Sequence, residues 1–210
     1  MRKAERAQHI IELLDNEYGR AVCTLDYANP LHLLIATQLA AQCTDERVNM
    51  VTPALFERYP TAADFMHADI AELEEMIRST GFFRNKARNI KACCRMIVTR
   101  FGGEVPGTME ELLSLPGVGR KTANVVLGEI FHVPGIIVDT HAGRLSRRMG
   151  LTENTDPVKV EKDLMKIIPR ELWTQFSHWL VSHGRAVCNA RKPDCPICTV
   201  KPYCKYGRNL

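Results

Sequence analysis

Four cysteines near the C-terminus, Cys188, Cys195, Cys198 and Cys204, follow the pattern C-x6-C-x2-C-x5-C. Four thiolates so close in sequence can wrap a single centre, and thiolates suit either Zn²⁺ or an iron–sulfur cluster. Common zinc folds pair two separated C-x2-C knuckles. Here one close pair is flanked by two outlying cysteines, and spacing alone leaves both metals open. Pro193, Pro196, Pro202 and Gly207 favour a compact loop around them. Cys23, Cys43, Cys93 and Cys94 lack such clustering and read as small buried residues.

A second constellation runs from Leu112 to Ala123, LLSLPGVGRKTA, which reads as helix, tight turn, helix. Gly117 and Gly119, on either side of Val118, let the turn use positive φ and let backbone approach a ligand closely. The helix that follows, from Gly119 and carrying Arg120 in its first turn, offers free N–H groups and the positive end of its dipole to a phosphate. This is a helix–hairpin–helix pattern, suited to grasping the DNA backbone without reading sequence. An ordinary helix connection is the bland alternative, but LPGVGRKTA is much more specific than a lone Gly-x-Gly. Within it, Lys121 points away from the apolar stripe of Ala123, Val126, Leu127 and Ile130, beside Asn124, Val125 and Gly128. Geometry alone favours a solvated surface lysine. A first-turn position with partial burial would instead make the free amine available as a nucleophile.

Past a short apolar run, Pro134 to Val138, the segment Asp139-Thr140-His141 opens a helix bearing Arg144, Arg147 and Arg148. Asp139 suits a helix cap. A cap also keeps a carboxylate ionised, which fits the stabilisation of a cationic sugar transition state better than general-acid work. His141 reads equally well as a phosphate contact or as a satisfied buried histidine.

Helices must position these groups. Apolar stripes recur with helical period at Ala7, Ile10, Ile11 and Leu14; at Ile70, Leu73 and Ile77; and at Ala87, Ile90, Cys94, Ile97, Val98 and Phe101. Breaks fall at Asn29-Pro30, Tyr59-Pro60, Gly102-Gly103, Pro116-Gly117 and Pro134-Gly135, while Asp156-Pro157 and Pro169-Arg170 start further helices. No pair of alternating strands appears, so the chain reads as all-α with about ten helices. At 210 residues it can bury a substantial core, in one large domain or two small ones. Net charge is only +4, but Gly184 to Leu210 holds six basic residues against one acid, which points to an anionic partner there. The charged N-terminus is not a signal peptide, and the apolar stretch around Leu31 to Ala41 is too short to cross a bilayer. These features suggest a soluble, cytoplasmic, prokaryotic protein whose cysteines are thiols or metal ligands rather than disulfides.

The combination of LPGVGRKTANVVL, then VDTH, then HGR-x2-C-x6-C-x2-C-x5-C closely resembles the endonuclease III family, DNA glycosylases and AP lyases that remove oxidised pyrimidines. LLIATQLAAQCTD near residue 40, GFFRNKARNI after residue 80 and GEVP at Gly103 to Pro106 extend the likeness nearly end to end. The resemblance implies two helical lobes flanking a DNA-binding cleft. Residues 23–133 would form a six-helix bundle with the hairpin; residues 1–22 and 134–210 would form a discontinuous lobe with one [4Fe–4S] cluster. It places Lys121 at the nucleophile position, Asp139 at the essential aspartate and the four C-terminal cysteines on the cluster, deciding iron–sulfur over zinc. Gln42 matches a residue that fills the gap left by a flipped nucleotide. The companion wedge, commonly leucine, aligns with Phe82, and LAAQ stands where a relative reads LSAQ. Arg191 and Lys192, in the loop between Cys188 and Cys195, would meet phosphate, as would Gly117, Val118, Gly119, Arg120, His141 and Arg144. The implied partner is duplex DNA carrying damaged pyrimidines or abasic sites, bound by a monomer. Two rivals are a mismatch-directed glycosylase without lyase activity, whose members lack the lysine, and a non-catalytic DNA-binding module whose cluster senses redox state.

Overall fold

Side-chain caps and prolines divide the described residues into eleven α-helices. Asn29, Thr44, Thr61, Asp69, Thr108, Asp139 and Asp156 each accept a backbone N–H of the helix they precede, the usual remedy for unpaired first-turn donors. The resulting helices are α1 (Lys3–Tyr18), α2 (Pro30–Leu39), α3 (Asp45–Arg58), α4 (Ala62–His67), α5 (Ile70–Met76), α6 (Phe83–Phe101), α7 (Met109–Ser114), α8 (Arg120–Ile130), α9 (Thr140–Met149), α10 (Pro157–Met165) and α11 (Trp173–Ala186). Short 3-10 turns occupy Arg78–Thr80, Arg170–Leu172, Lys201–Tyr203 and Gly207–Asn209. This computed structural model describes residues 1–209; Leu210, assigned from sequence to the C-terminal lobe, lies outside them. Among the described residues there is no strand, and no helix is long and apolar enough to cross a membrane.

The chain divides into two compact units, Cys23–Val133 and Met1–Val22 with Pro134–Leu210. The first is built around α2. From Leu33 to Leu39 every side chain of this helix is buried. A helix apolar on all sides belongs in an interior, and α3, α6 and α8 pack against it. The long α6 also packs on α4 and α5, burying Ala87, Ile90, Cys93, Cys94 and Ile97 as the apolar stripe requires. Its end is set by Gly102 in the left-handed conformation, φ 64°. In the second unit α11 packs against α1 and α9, and α10 against α9. Ile10, Leu14, Leu145, Leu164, Phe176 and Trp179 form the core, and the Trp179 indole N–H donates to Gly19 O at 2.7 Å, tying α11 to the end of α1.

Several sequence expectations need adjustment. Ile70 is 37% exposed because it occupies the first position of α5, ahead of the buried face that begins at Leu73. Cys23 and Cys43 are only half-buried, unlike Cys93 and Cys94. Helix α8 is not one-sided: Asn124 and Val125 are buried with Ala123 and Val126, and α2 and α7 both pack on it.

Candidate nucleic-acid interface and catalytic residues

In unit Cys23–Val133, α7 and α8 are joined by residues 115–119. Only Gly117 of the two hairpin glycines uses positive φ, at 75°; Gly119 is extended at φ −97° and ψ 176° and caps α8 without a side chain. A Cβ on Gly117 would lie 2.8 Å from Gln38 Oε1 and 2.9 Å from Asn89 Cβ, whereas one on Gly119 would meet nothing within 4 Å. The expectation that both glycines serve positive φ is thus corrected, since the chain needs the left-handed turn once. The Val118 side chain is buried and its N–H donates to Leu115 O at 3.2 Å, so the turn is rigidly closed on itself. Beyond it, the first N–H groups of α8 have no intrahelical acceptor. Arg120 and Lys121 follow at the first and second helical positions. Lys121 is exposed, as its geometry on the helix suggested, without the partial burial that would help free its amine.

Gln42 and Phe82 are two of three non-glycine residues with positive φ among those described, at 56° and 47°. For a residue as bulky as phenylalanine this is a true outlier, with a cost of about 1–3 kcal/mol that persists only where the surroundings impose it. Both side chains are exposed, Phe82 by 64%. Together with Asn85, Lys86 and Gly117 they line one cavity of about 230 Å³. Lys86 was not singled out from sequence. It is buried, and its ammonium donates to Leu39 O at 2.7 Å and Thr80 O at 2.8 Å.

In the other unit Asp139 is the N-cap of α9, its Oδ1 accepting from Ala142 N at 2.7 Å. His141 is half-buried, and Arg144 Nη2 lies 3.2 Å from its Nδ1. Burial lowers the imidazole below its ordinary pKa, and Arg144 and Arg185 add to this while Asp139 opposes it. Arg144 is also engaged internally, donating to Gly184 O at 3.2 Å and Cys188 O at 2.9 Å. Arg148 braces the next stretch of chain through Asn189 O and Ala190 O, both at 2.7 Å. Two arginines thus anchor the loop on which Arg191 and Lys192 stand exposed.

Cys188, Cys195, Cys198 and Cys204 line a single narrow pocket with Val187, Val200 and His183. Three of the sulfurs face a nitrogen: Arg148 Nη1 at 3.4 Å from Cys188, His183 Nε2 at 3.4 Å from Cys198, and the Gly207 N–H at 3.3 Å from Cys204. His183 is fully buried, and its Nδ1 lies 2.9 Å from the Tyr18 hydroxyl, so the tautomer with hydrogen on Nε2 satisfies both neighbours. Burial pushes the Cys198 thiol up to about 11 and raises Cys204 as well. Among the described residues no three His, Cys, Asp or Glu side chains converge tightly enough for a single ion.

Residues 35–170 match the model of the HhH-GPD superfamily base excision DNA repair proteins. Endonuclease III of Synechocystis sp. is 58% identical over 203 residues, covering 96% of this chain and 93% of the relative. Two solved structures superpose with a TM-score of 0.96 at 45% identity over 100% of this chain. One is a non-covalent endonuclease III–DNA complex, of which 98% is covered. The other is a trapped endonuclease III–DNA covalent intermediate with an estranged adenine, of which 99% is covered. With likeness of this extent in sequence and fold, the chain belongs to the endonuclease III family of base excision DNA repair proteins.

Proposed function

We propose that the protein is a bifunctional DNA glycosylase and AP lyase, which excises oxidised pyrimidines from duplex DNA and then cuts the strand 3′ to the abasic site. The observation that carries this reading is a lysine exposed in the first turn of helix α8, whose N-cap Gly119 has no side chain, directly after a hairpin with glycine at 117 and 119. A damaged base must leave the stack before it can be attacked, at a cost of a few kcal/mol. Gln42 and Phe82 fill and wedge the resulting gap, while Gly117 to Arg120 hold phosphate. The Lys121 amine attacks C1′ and the base departs with the bonding pair. The Asp139 carboxylate stabilises the cationic character that develops on the sugar and assists deprotonation of the lysine. The nitrogen lone pair then opens the sugar ring by breaking the C1′–O4′ bond, with O4′ taking a proton, and the imine so formed acidifies the C2′ hydrogen. Its loss expels the 3′ phosphate by β-elimination, and water then releases the lysine.

The four C-terminal cysteines hold one [4Fe–4S] cluster. Its fit rests on their shared pocket and on the N–H groups that face three of the sulfurs. When bound, the cluster supplies structure: it fixes the loop that presents Arg191 and Lys192 to phosphate. The protein works as a monomer on DNA in a bacterial cytoplasm, in contact with the nucleoid.

Borohydride trapping tests the reading. Wild-type protein should become covalently attached to abasic duplex, because reduction of the imine fixes the Lys121 nitrogen to the sugar carbon. Lys121→Gln should bind the same duplex but form no adduct and cut no strand. Near-normal cutting by that variant would exclude Lys121 as the Schiff-base residue, and no adduct with the wild type would leave a glycosylase without lyase activity.

A further inference from the structure

Lys86 is 6% exposed, and its Nζ bridges two carbonyls, Leu39 O at 2.7 Å and Thr80 O at 2.8 Å. These carbonyls come from distant parts of the chain. Leu39 ends α2, three residues before Gln42; Thr80 ends the 3-10 turn, two residues before Phe82. Lys86 itself lies near the start of α6, where the helix dipole disfavours a cation. A lysine this buried is uncommon, and its charge must be matched by well-placed acceptors. The matching acceptors here are the last carbonyls before the two loops. Both loops then turn through left-handed residues: Gln42 at φ 56°, Gly81 at 73° and Phe82 at 47°.

We propose that Lys86 is a positioning residue, whose ammonium bridge between the Leu39 and Thr80 carbonyls fixes the spacing of the Gln42 and Phe82 loops so that both side chains enter the duplex as one unit. The inference rests on the reading of Gln42 and Phe82 as gap-filling and wedging residues. The aliphatic stem of Lys86 could be supplied by methionine. What methionine lacks are the donors that hold both carbonyls, and without them each loop relaxes independently. Arginine keeps several donors in a forked head and can reach both acceptors. A lysine that served stability alone would have no reason to couple the two loops in their action on DNA.

The test is a mutant cycle with two readouts: single-turnover excision from a thymine-glycol duplex, and fluorescence of 2-aminopurine placed opposite a stable abasic analogue. Gln42→Ala and Phe82→Ala should each slow excision about tenfold and lower the fluorescence change, and the double variant should fall well short of the product, as for residues that act as a unit. Lys86→Met should slow excision by about the same factor, add little to Gln42→Ala, and leave affinity for undamaged duplex within about twofold. Lys86→Arg should restore most of the rate. If neither Gln42→Ala nor Phe82→Ala alters excision or fluorescence, the gap-filling reading itself fails. If both act but multiply independently in the native chain, or if folded Lys86→Met excises normally, the bridge alone is refuted. Should Lys86→Met fail to fold, the coupling between Gln42 and Phe82 measured in the native chain decides the matter.

Discussion

The two hairpin glycines should respond to the same substitution through different causes, one in binding alone and the other in stability as well. Gly119 is extended, and its missing Cβ faces open space. Gly119→Ala removes unfolded-chain freedom, worth about 0.4–1 kcal/mol of stabilisation. It also exchanges a tolerated N-cap for a poor one, a loss of similar size. The two nearly cancel, and at about 2–4 °C per kcal/mol for a chain of this length the melting temperature should move by no more than about 3 °C. On DNA the added methyl stands where backbone must meet phosphate. Losing one hydrogen bond to a charged acceptor, about 1.5–3 kcal/mol, weakens binding about tenfold to a hundredfold. Gly117 is different, because alanine there must adopt a left-handed conformation costing about 1–2 kcal/mol. Its Cβ also collides with Gln38 and with Asn89 Cβ. The Gln38 amide can rotate, but Asn89 is fixed on α6. Gly117→Ala should therefore melt at least about 4 °C lower and lose affinity through a deformed turn. Thermal melts paired with anisotropy titrations on undamaged and abasic duplexes separate the effects. Unchanged affinity in Gly119→Ala on both duplexes would refute the phosphate cradle. A large drop in its melting temperature would refute the open space around Gly119.

Asp139→Asn keeps an oxygen for the Ala142 N–H and should melt close to the wild type, while excision from a thymine-glycol duplex falls by orders of magnitude; Asp139→Ala should in addition lose about 1 kcal/mol of cap stability in a thermal melt. Near-normal excision by Asp139→Asn would reduce the residue to a structural cap. Purified protein should be yellow-brown with broad absorption near roughly 400 nm, and Cys198→Ser should lose that colour together with DNA affinity. Colourless protein with stoichiometric zinc would overturn the cluster assignment. Arg148→Met removes the donors to Asn189 O and Ala190 O, so amide exchange across residues 188–194 should accelerate and DNA affinity should fall with no change in excision at saturating enzyme.

The parts of the fold written locally were legible in the sequence. Asn29-Pro30 and Asp156-Pro157 start α2 and α10 because a cap and a first-turn proline act within four residues. Asp139 was readable as the α9 cap for the same reason. What eluded sequence depends on partners far along the chain. Lys86 sits beside the apolar Ala87 in a helix full of basic residues, and nothing local says that Leu39 O, 47 residues away, will receive it. Arg144 reads as a phosphate contact until Gly184 and Cys188 come within its reach. Nor can a Gly-x-Gly say which glycine is left-handed. That depends on Gln38 and Asn89 lying against Gly117.

The distribution of caps supplies an independent argument for where DNA is met. In unit Cys23–Val133, helices α2, α3, α4, α5 and α7 each begin with a side chain that accepts a first-turn N–H. The two that do not are α6, whose N-cap is Phe82, and α8, whose N-cap is Gly119. Leaving first-turn donors without a side-chain cap forgoes about 1 kcal/mol per helix, so an unbiased fold would cap them like the others. Both omissions fall beside the same cavity, next to residues in strained or side-chain-free backbone. A phosphate oxygen can complete such a helix end from outside, drawn by the same N–H groups and dipole that a serine or aspartate would otherwise satisfy. The helices that hold the unit together thus close their own ends. The two without a side-chain cap present donors suited to an anionic ligand, and on the proposed function a DNA backbone would meet that need without regard to base sequence.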